Sequence, residues 1–256
     1  MPARDAEATL RDAVDSVLAQ TREDLELIVA DDGSRTPVRE VLADVSDRRV
    51  RIVTRSRGGG VSAARNDALR HARSALISQL DADDLWEPDY LEAIAPAFDD
   101  PAVGLAYSNA TILGYPTGHE DYIRDPCVHP LDRFPELARV NPVPCPTATF
   151  RTRAVRAVGG YAGWLRSAED WHLYMKLAAA GWRFAYVHRR LARYRWPEPG
   201  RGLSYDTRRL ERWVAAAHLA IVLAHPGVPG TRRAAAERLR AVVRGVFTAA
   251  PPAAPE

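Results

Sequence analysis

ALISQLDADDLWEPDYLEAI, residues 75–94, sets four carboxylates (Asp81, Asp83, Asp84 and Glu87) directly after an apolar run. ALISQL (75–80) has the length and composition of a short buried strand, and Pro88 suits the first turn of a helix reaching about Phe98. A strand that ends at a polar turn and feeds a helix is the repeating unit of α/β sheets. Ligands of open sheets of this kind bind beyond the carboxyl ends of the strands. Acids this close repel one another unless a cation sits among them.

The same unit recurs upstream. Leu10, Val14, Val17 and Leu18 fall on one helical face, and LELIVA (25–30) is a short buried strand ending at the turn-rich DDGS. Residues 37–45 read as a helix, VRIVT (50–54) as a strand, VSAARNDALRHA (61–72) as a helix and VGLAYS (103–108) as a strand. This alternation predicts an α/β fold with a mostly parallel, Rossmann-like sheet flanked by helices. Beyond Ser108 the pattern changes. Residues 109–146 are rich in Pro, His and Asp and read as long loops. A helix at 168–180, strands near 182–187 and 190–194, and helices at 206–225 and 231–248 follow, before a disordered-looking PPAAPE tail. Three segments are expected: residues 1–108, residues 109–200 of the same domain, and a helical extension (201–256).

Composition excludes several classes. The 256 residues are 46% hydrophobic and 27% charged with a net charge of +2, an ordinary globular balance that does not point to nucleic acid. Cys127 and Cys145 cannot scaffold a chain this long, nothing resembles a signal peptide, and WVAAAHLAIVLAH (213–225) is too short to span a bilayer. A cytoplasmic protein is the expectation. His119, Cys127, His129 and Cys145 match no compact zinc spacing. The last helix carries Arg232, Arg233, Arg238, Arg240 and Arg244 beside Leu239, Val243, Val246 and Phe247. It could touch an anionic membrane as a peripheral contact, although packing onto the body of the protein is favoured.

Asp31 and Asp32 end one strand and Asp81, Asp83 and Asp84 follow another, so both acidic clusters belong to one edge of the sheet. Carboxylate oxygens suit Mg²⁺ or Mn²⁺, and Mg²⁺ typically adds substrate phosphates and water to one or two carboxylates. That points to a diphosphate substrate, the structural alternatives being a β-turn with Ser34 capping for DDGS and, for DADD, a turn whose acids favour the next helix N-terminus. RGGGVSAARN lacks the spacing of a phosphate-cradling P-loop, so its glycines read as a flexible connection, with Arg65 and Asn66 one or two turns into the next helix.

VADDGS, GVSAARNDAL, QLDADDLWEPDYL, VGGY and SAEDWHLYMKLAAAGWRF occur in this order and spacing. Together they resemble the inverting family 2 glycosyltransferases of GT-A fold, over roughly residues 2 to 195. The resemblance implies transfer of a sugar from a nucleotide-sugar, UDP-sugar by preference, to a hydroxyl of a glycan, lipid-linked or small-molecule acceptor in bacterial polysaccharide biosynthesis. It implies Asp31 and Asp32 at the base and ribose, and Pro2, Arg4 and Arg65 along the nucleotide. Asp81-Ala82-Asp83 would be the DxD element, with Asp83 the ligand of Mn²⁺ or Mg²⁺ and Asp81 its partner. Of the pair Glu169–Asp170, Asp170 would be the general base. The chemistry agrees: a nucleoside diphosphate is a good leaving group when a metal takes up its charge, so one base suffices.

A structural alternative exists for Asp170. Ser167-Ala168-Glu169-Asp170 fits a capping box with Ser167 as N-cap, and a helix N-terminus would lower the carboxyl pKa. Trp171 lines a sugar site or joins the core; Tyr174 is expected in the core. RLERW (209–213) reads as ordinary helix. Two features depart from the family pattern. Relatives open with an apolar strand ending in a sequence like IPAYN, between the strands that end at DDGS and DADD. Here Met1-Pro2-Ala3 matches only its end, so the first strand is expected to be missing and to lie upstream in the native chain. Arg4 replaces a common aromatic. Two rival functions remain: a nucleotidyltransferase forming nucleotide-sugars, and a non-catalytic nucleotide-sugar-binding protein.

Overall fold

The computed structural model describes residues 1–114, 121–125, 130, 137–196 and 207–244. In chain order the strands are β1 (Pro2–Ala3), β2 (Leu27–Asp31), β3 (Val50–Thr54), β4 (Leu76–Ser78), β5 (Leu85–Trp86), β6 (Val103–Leu113), β7 (Thr149–Arg151) and β8 (Arg183–Arg195). The helices are α1 (Leu10–Leu18), α2 (Val38–Val41), α3 (Val61–His71), α4 (Tyr90–Ile94), α5 (Thr152–Ala157), α6 (Glu169–Ala179), α7 (Thr207–Ala224) and α8 (Thr231–Arg244). A 3₁₀ turn, Ala95–Phe98, prolongs α4.

Two sheets form. One has the order β1-β2-β3, all parallel; the other has the order β4-β7-β6-β8-β5. Within the second, β6 and β8 are parallel, while β4 and β6 pair antiparallel with β7 and β5 with β8. The parallel expectation therefore holds for β1, β2 and β3 and for the single pair of β6 with β8. The strand ending at DADD, however, pairs with β7 and not with the strand ending at DDGS.

Alternation along β6 supplies both cores. Ala106 and Ala110, with Val103 set beyond a register shift at Val103/Leu105, pack with Leu10, Val14, Val29, Tyr90 and Ile94. Leu105 and Tyr107 pack with Phe150, Leu173, Tyr174, Phe184 and Ile221. Side chains of successive strand residues point to opposite faces, so one strand can hold two helical layers together. α1 buries Leu10, Ala13, Val14 and Val17 on one stripe, as its spacing predicts.

Several elements differ from the sequence reading. The two strands expected at 182–187 and 190–194 are one, because pairing with β6 carries the exposed His188-Arg189-Arg190 stretch through register shifts near Asn109. β6 itself runs five residues past Ser108, to Leu113, into the segment read as loop. The helix expected at 37–45 shortens to Val38–Val41. Of the family's opening strand only Pro2 and Ala3 form a ladder, opposite Ala30 and Asp31. α8 meets α7, but Leu239 and Val243 are 59% and 79% exposed. Its contacts with the body run instead through buried Thr231 and Ala234 and through Arg238, which reaches the Arg139 carbonyl and the buried Glu211. Val246, Phe247 and the PPAAPE tail lie outside the described residues.

Candidate active site

Asp31 and Asp32 close β2, both buried. Asp31 accepts the backbone N–H of Ser34 (2.9 Å) and of Val38 (3.3 Å), fixing the turn that leads into α2. Asp32 accepts the N–H groups of Gly59 (2.7 Å) and Gly60 (2.8 Å), with Arg55 Nε at 3.2 Å and Arg4 Nη1 at 3.8 Å. The glycine stretch is thus clamped to a carboxylate, contrary to its reading as a flexible connection. Glycine is needed there: Gly60 has φ of 89°, and a Cβ on Gly58 would lie 2.8 Å from Arg4 Nη1 and 3.0 Å from the Asp32 carbonyl. Pro2 lies next to Met1 at the start of the same ladder, two residues from Arg4.

The four acids after β4 divide. Asp84 is buried and accepts the Arg195 N–H (2.8 Å); Glu87 pairs with Arg193 (2.7 Å). Asp81 is held by Arg65 Nη2 (2.6 Å) and by the Cys145 thiol (3.3 Å). The Asp83 side chain reaches solvent, and among the described residues no other residue holds its carboxylate, which accepts its own backbone N–H. Desolvation by the surrounding protein, then the Asp81 charge, pushes the Asp83 carboxyl up to about 6. Burial, then Asp83 and Asp81, raises that of Asp84 as well. These are the marks of negative charge crowded at one place.

Glu169 and Asp170 open α6 behind Ala168, which stands in the left-handed region at φ 58°. Ala168, not Ser167, is the N-cap, and no side chain caps the helix, so the capping-box reading fails. Asp170 accepts its own neighbour's N–H (Trp171, 2.7 Å) and the Asn141 amide (3.3 Å). Burial outweighs the favourable charge of Arg65 and these hydrogen bonds, and the Asp170 carboxyl is raised above its ordinary value. The helix N-terminus was expected to lower it.

Arg65 joins the two acidic groups. From the first half of α3, buried, its guanidinium donates to Asp81 Oδ1 and to Glu169 Oε1, 104 positions away in sequence, both at 2.6 Å. It lies over the Tyr161 ring, 5.5 Å from the centroid.

A model of the family described as "Glycosyl transferase family 2" matches residues 1–158. The chain belongs to that family. It is 34% identical over 113 residues, 44% of this chain and 45% of the relative, to the Escherichia coli UDP-Glc:alpha-D-GlcNAc-diphosphoundecaprenol beta-1,3-glucosyltransferase WfgD. It is 28% identical over 196 residues, 74% of this chain and 19% of the relative, to the chondroitin synthase of Pasteurella multocida. The chain thus spans less than half the length of these relatives. Its fold is that of TarS from S. aureus (TM-score 0.72, 16% identity, 93% of this chain and 68% of that one). A mannosyltransferase from Pyrobaculum calidifontis, solved with GDP-Man and Mn²⁺, shares it too (TM-score 0.64, 21% identity, 95% and 73%). The GT-A architecture expected from the motifs is therefore the architecture present.

In this family 2 chain the donor set suits a hard cation carried partly by its substrate. Among the described residues no group of three or more His, Cys, Asp or Glu side chains is placed to enclose a metal. Asp83 offers unclaimed carboxylate oxygens in a crowded negative field, the situation that one carboxylate, phosphate oxygens and water would complete. Asp81 is engaged by Arg65 and would contribute second. His119, Cys127 and His129 lie outside the described residues.

Sequence reasoning missed the residues that hold the site: Cys145 and Gln79 around Asp81, Asn141 on Asp170, and Tyr161 under Arg65. Their signal is tertiary, since each comes from a different loop or strand end. Trp171 is core: its indole donates to the Leu137 carbonyl (2.7 Å) and its ring meets His218 edge-on. Tyr174 is core as expected, its hydroxyl accepting from Gln79 (3.0 Å). Trp164, 49% exposed in the loop before α6, meets the His172 ring edge-on at 6.0 Å.

Proposed function

We propose that this chain is a divalent-metal-dependent inverting glycosyltransferase of the hexosyltransferase type. It moves a sugar from a nucleotide-sugar, UDP-sugar by preference, to a hydroxyl of a glycan, lipid-linked or small-molecule acceptor. The observation that carries the reading is the Arg65 bridge. It brings the DADD cluster and the Glu169–Asp170 pair to one place, so that a carboxylate open for a cation and a separate carboxylate for a base flank the same arginine.

Residues up to about Ser108 form the donor half, with Asp31, Asp32, Arg4 and Pro2 lining the nucleotide edge; residues 109–200 form the acceptor half and 201–256 the helical extension. Mn²⁺ or Mg²⁺ held by Asp83, with Asp81 behind it, would supply the positive charge that a departing nucleoside diphosphate requires. Asp170 takes the proton of the acceptor hydroxyl, and its raised pKa makes it the stronger base. Asn141 orients that carboxylate. Glu169 acts as a positioning residue, holding the start of α6 against Arg65. UDP as the nucleotide is supported by the UDP-Glc specificity named for WfgD and by the TarS complex with UDP-GlcNAc.

The C-terminal helices add a peripheral contact with an anionic membrane face. Leu219 and Leu223 on α7 and Leu239 and Val243 on α8 are exposed, beside exposed Arg232, Arg233 and Arg240. A lipid-linked acceptor would be met there. Co-sedimentation with vesicles containing phosphatidylglycerol, lost in Leu239→Asp/Val243→Asp, tests it; binding unchanged in that variant removes the contact.

The central experiment incubates the protein with Mn²⁺ and a panel of nucleotide-sugars and follows release of free nucleoside diphosphate. Asp170→Asn is expected to lower turnover by roughly 10² to 10⁴, and Asp83→Ala to abolish the Mn²⁺ dependence with most of the activity. Unchanged turnover in Asp170→Asn defeats the base assignment. Full activity without metal defeats the Asp83 assignment, and pyrophosphate as product would mark a nucleotidyltransferase.

A further inference from the structure

Leu137, Ala138 and Arg139 present three successive backbone carbonyls, to which no backbone N–H donates among the described residues. Leu137 and Ala138 are buried, where an unpaired carbonyl is costly. Each carbonyl is taken by a side chain from a different helix. The Trp171 indole of α6 donates to Leu137 O (2.7 Å), His218 Nε2 of α7 lies 2.7 Å from Ala138 O, and the Arg238 guanidinium of α8 donates to Arg139 O. The three side chains also hold one another. Trp171 meets the His218 ring edge-on, centroids 5.3 Å apart, and carries the Arg238 guanidinium over its face at 5.2 Å. Arg238 Nη1 is 3.5 Å from the buried Glu211 on α7. His218 Nδ1 faces the Val214 carbonyl (2.7 Å), one turn back and already part of the helical ladder, so Nε2 is the nitrogen that needs the proton.

Two residues beyond Arg139 the same segment reaches the candidate base. Asn141 Nδ2 donates to Asp170 Oδ2 (3.3 Å), and Asn141 Oδ1 accepts the Val143 N–H (3.3 Å), which fixes the end of the amide that faces the acid. The bond to Asp170 is long, so a small movement of the segment breaks it. Asp170 directly precedes Trp171, and one cluster therefore holds both the acid and the amide that meets it. α7 and α8, which supply two of the three grips, lie beyond residues 1–158 matched by the family model.

We propose that His218 and Arg238 are positioning residues: from the helical extension they set Leu137–Arg139 so that Asn141 meets the Asp170 carboxylate. The extension is then a working part of the site and not an appendage. The catalytic consequence rests on Asp170 being the base; the geometric one does not. An amide N–H on the ionised carboxylate favours its charged form. Loss of that contact makes Asp170 titrate at higher pH and leaves the base misaligned for an acceptor hydroxyl.

The test follows the Asp170 carboxyl carbon by NMR titration of the full chain and, separately, kcat and KM for sugar transfer. His218→Leu is expected to move the titration to higher pH, as Asn141→Ala does, and His218→Gln, which keeps a donor near Nε2, to restore it. Arg238→Lys keeps a charge for Glu211 but loses the fork and the planar stack. It moves the titration the same way, and is the variant to read if His218→Leu fails to fold. The double variant His218→Leu/Asn141→Ala should titrate as Asn141→Ala does alone. In the shifted variants kcat should fall by roughly tenfold or more, with KM little changed. A titration unmoved in His218→Leu or Arg238→Lys, or a double variant shifted by the sum of the two singles, overturns the positioning role. So does an unchanged kcat where the titration has moved and Asp170→Asn is inactive. A fully active Asp170→Asn defeats the base assignment instead, and the titration still decides the geometry.

Discussion

Ala168 holds a left-handed backbone conformation immediately before Glu169 and Asp170. For an L-residue with a Cβ that conformation costs about 1–2 kcal/mol, and such strain collects where a site needs a particular chain direction. Ala168→Gly removes the Cβ penalty. Its expected effect is a gain of about 1 kcal/mol in stability by urea titration; a loss would show that Ala168 is not strained. Asp170 carries a second prediction at this scale. Proton abstraction needs the ionised carboxylate, and burial raises its pKa against the pull of Arg65. Turnover should therefore fall, as pH drops, at a higher pH than an ordinary aspartate would give, and a kcat–pH profile flat down to about pH 4 would contradict it. That these two acids open a helix was legible in the sequence, because the 3.6-residue pattern after them carries it. Their electrostatics were not. The helix N-terminus suggested a lowered pKa, while burial decides the direction.

The site hangs on three elements meeting at one side chain: α3 brings Arg65, the turn after β4 brings Asp81, and the first turn of α6 brings Glu169. Arg65→Met leaves two acids facing one another without their cation, Glu169 among them buried. Breaking a buried pair in this way costs about 3–5 kcal/mol, to be read from denaturant midpoints. Arg65→Lys keeps one charge but not the fork that serves two carboxylates, so it should fold and lose kcat more than KM. A lysine variant with unchanged kcat would reduce Arg65 to a structural role. Elements with a strong local pattern were readable: β3 spans Val50–Thr54 as expected, and α3 stops one residue short of its predicted end. β5 and β7, of two and three residues, were not, because only their pairing with β8, β4 and β6 makes them strands. The Arg65 bridge escaped for the same reason, since a contact across 104 positions leaves no periodicity.

At the scale of the whole molecule, the division into two sheets could not be read from the motifs, because it depends on strand pairing across the chain. The Met1 amine at the end of β1 is buried. Burial lowers the pKa of the Met1 amine from 8.0 to about 5, with Arg65 acting in the same direction and Asp81 against it. Below pH 8 the unfolded chain holds this proton and the folded chain does not, until about pH 5. More protons are bound in the unfolded state over that window, so this group makes stability rise with pH from about 5 to 8, by up to about 4 kcal/mol. Glu169, Asp170, Asp83 and Asp84, with raised carboxyl pKa values, work in the opposite sense. A comparison with the same chain acetylated on Met1 subtracts them. Acetylation removes the titrating group and keeps an N–H to donate to the Ile28 carbonyl. The acetylated chain should be the more stable, by a margin that widens as pH falls from 8 to 5 and is constant above 8. A margin independent of pH would mean that the amine is hydrated in the folded chain.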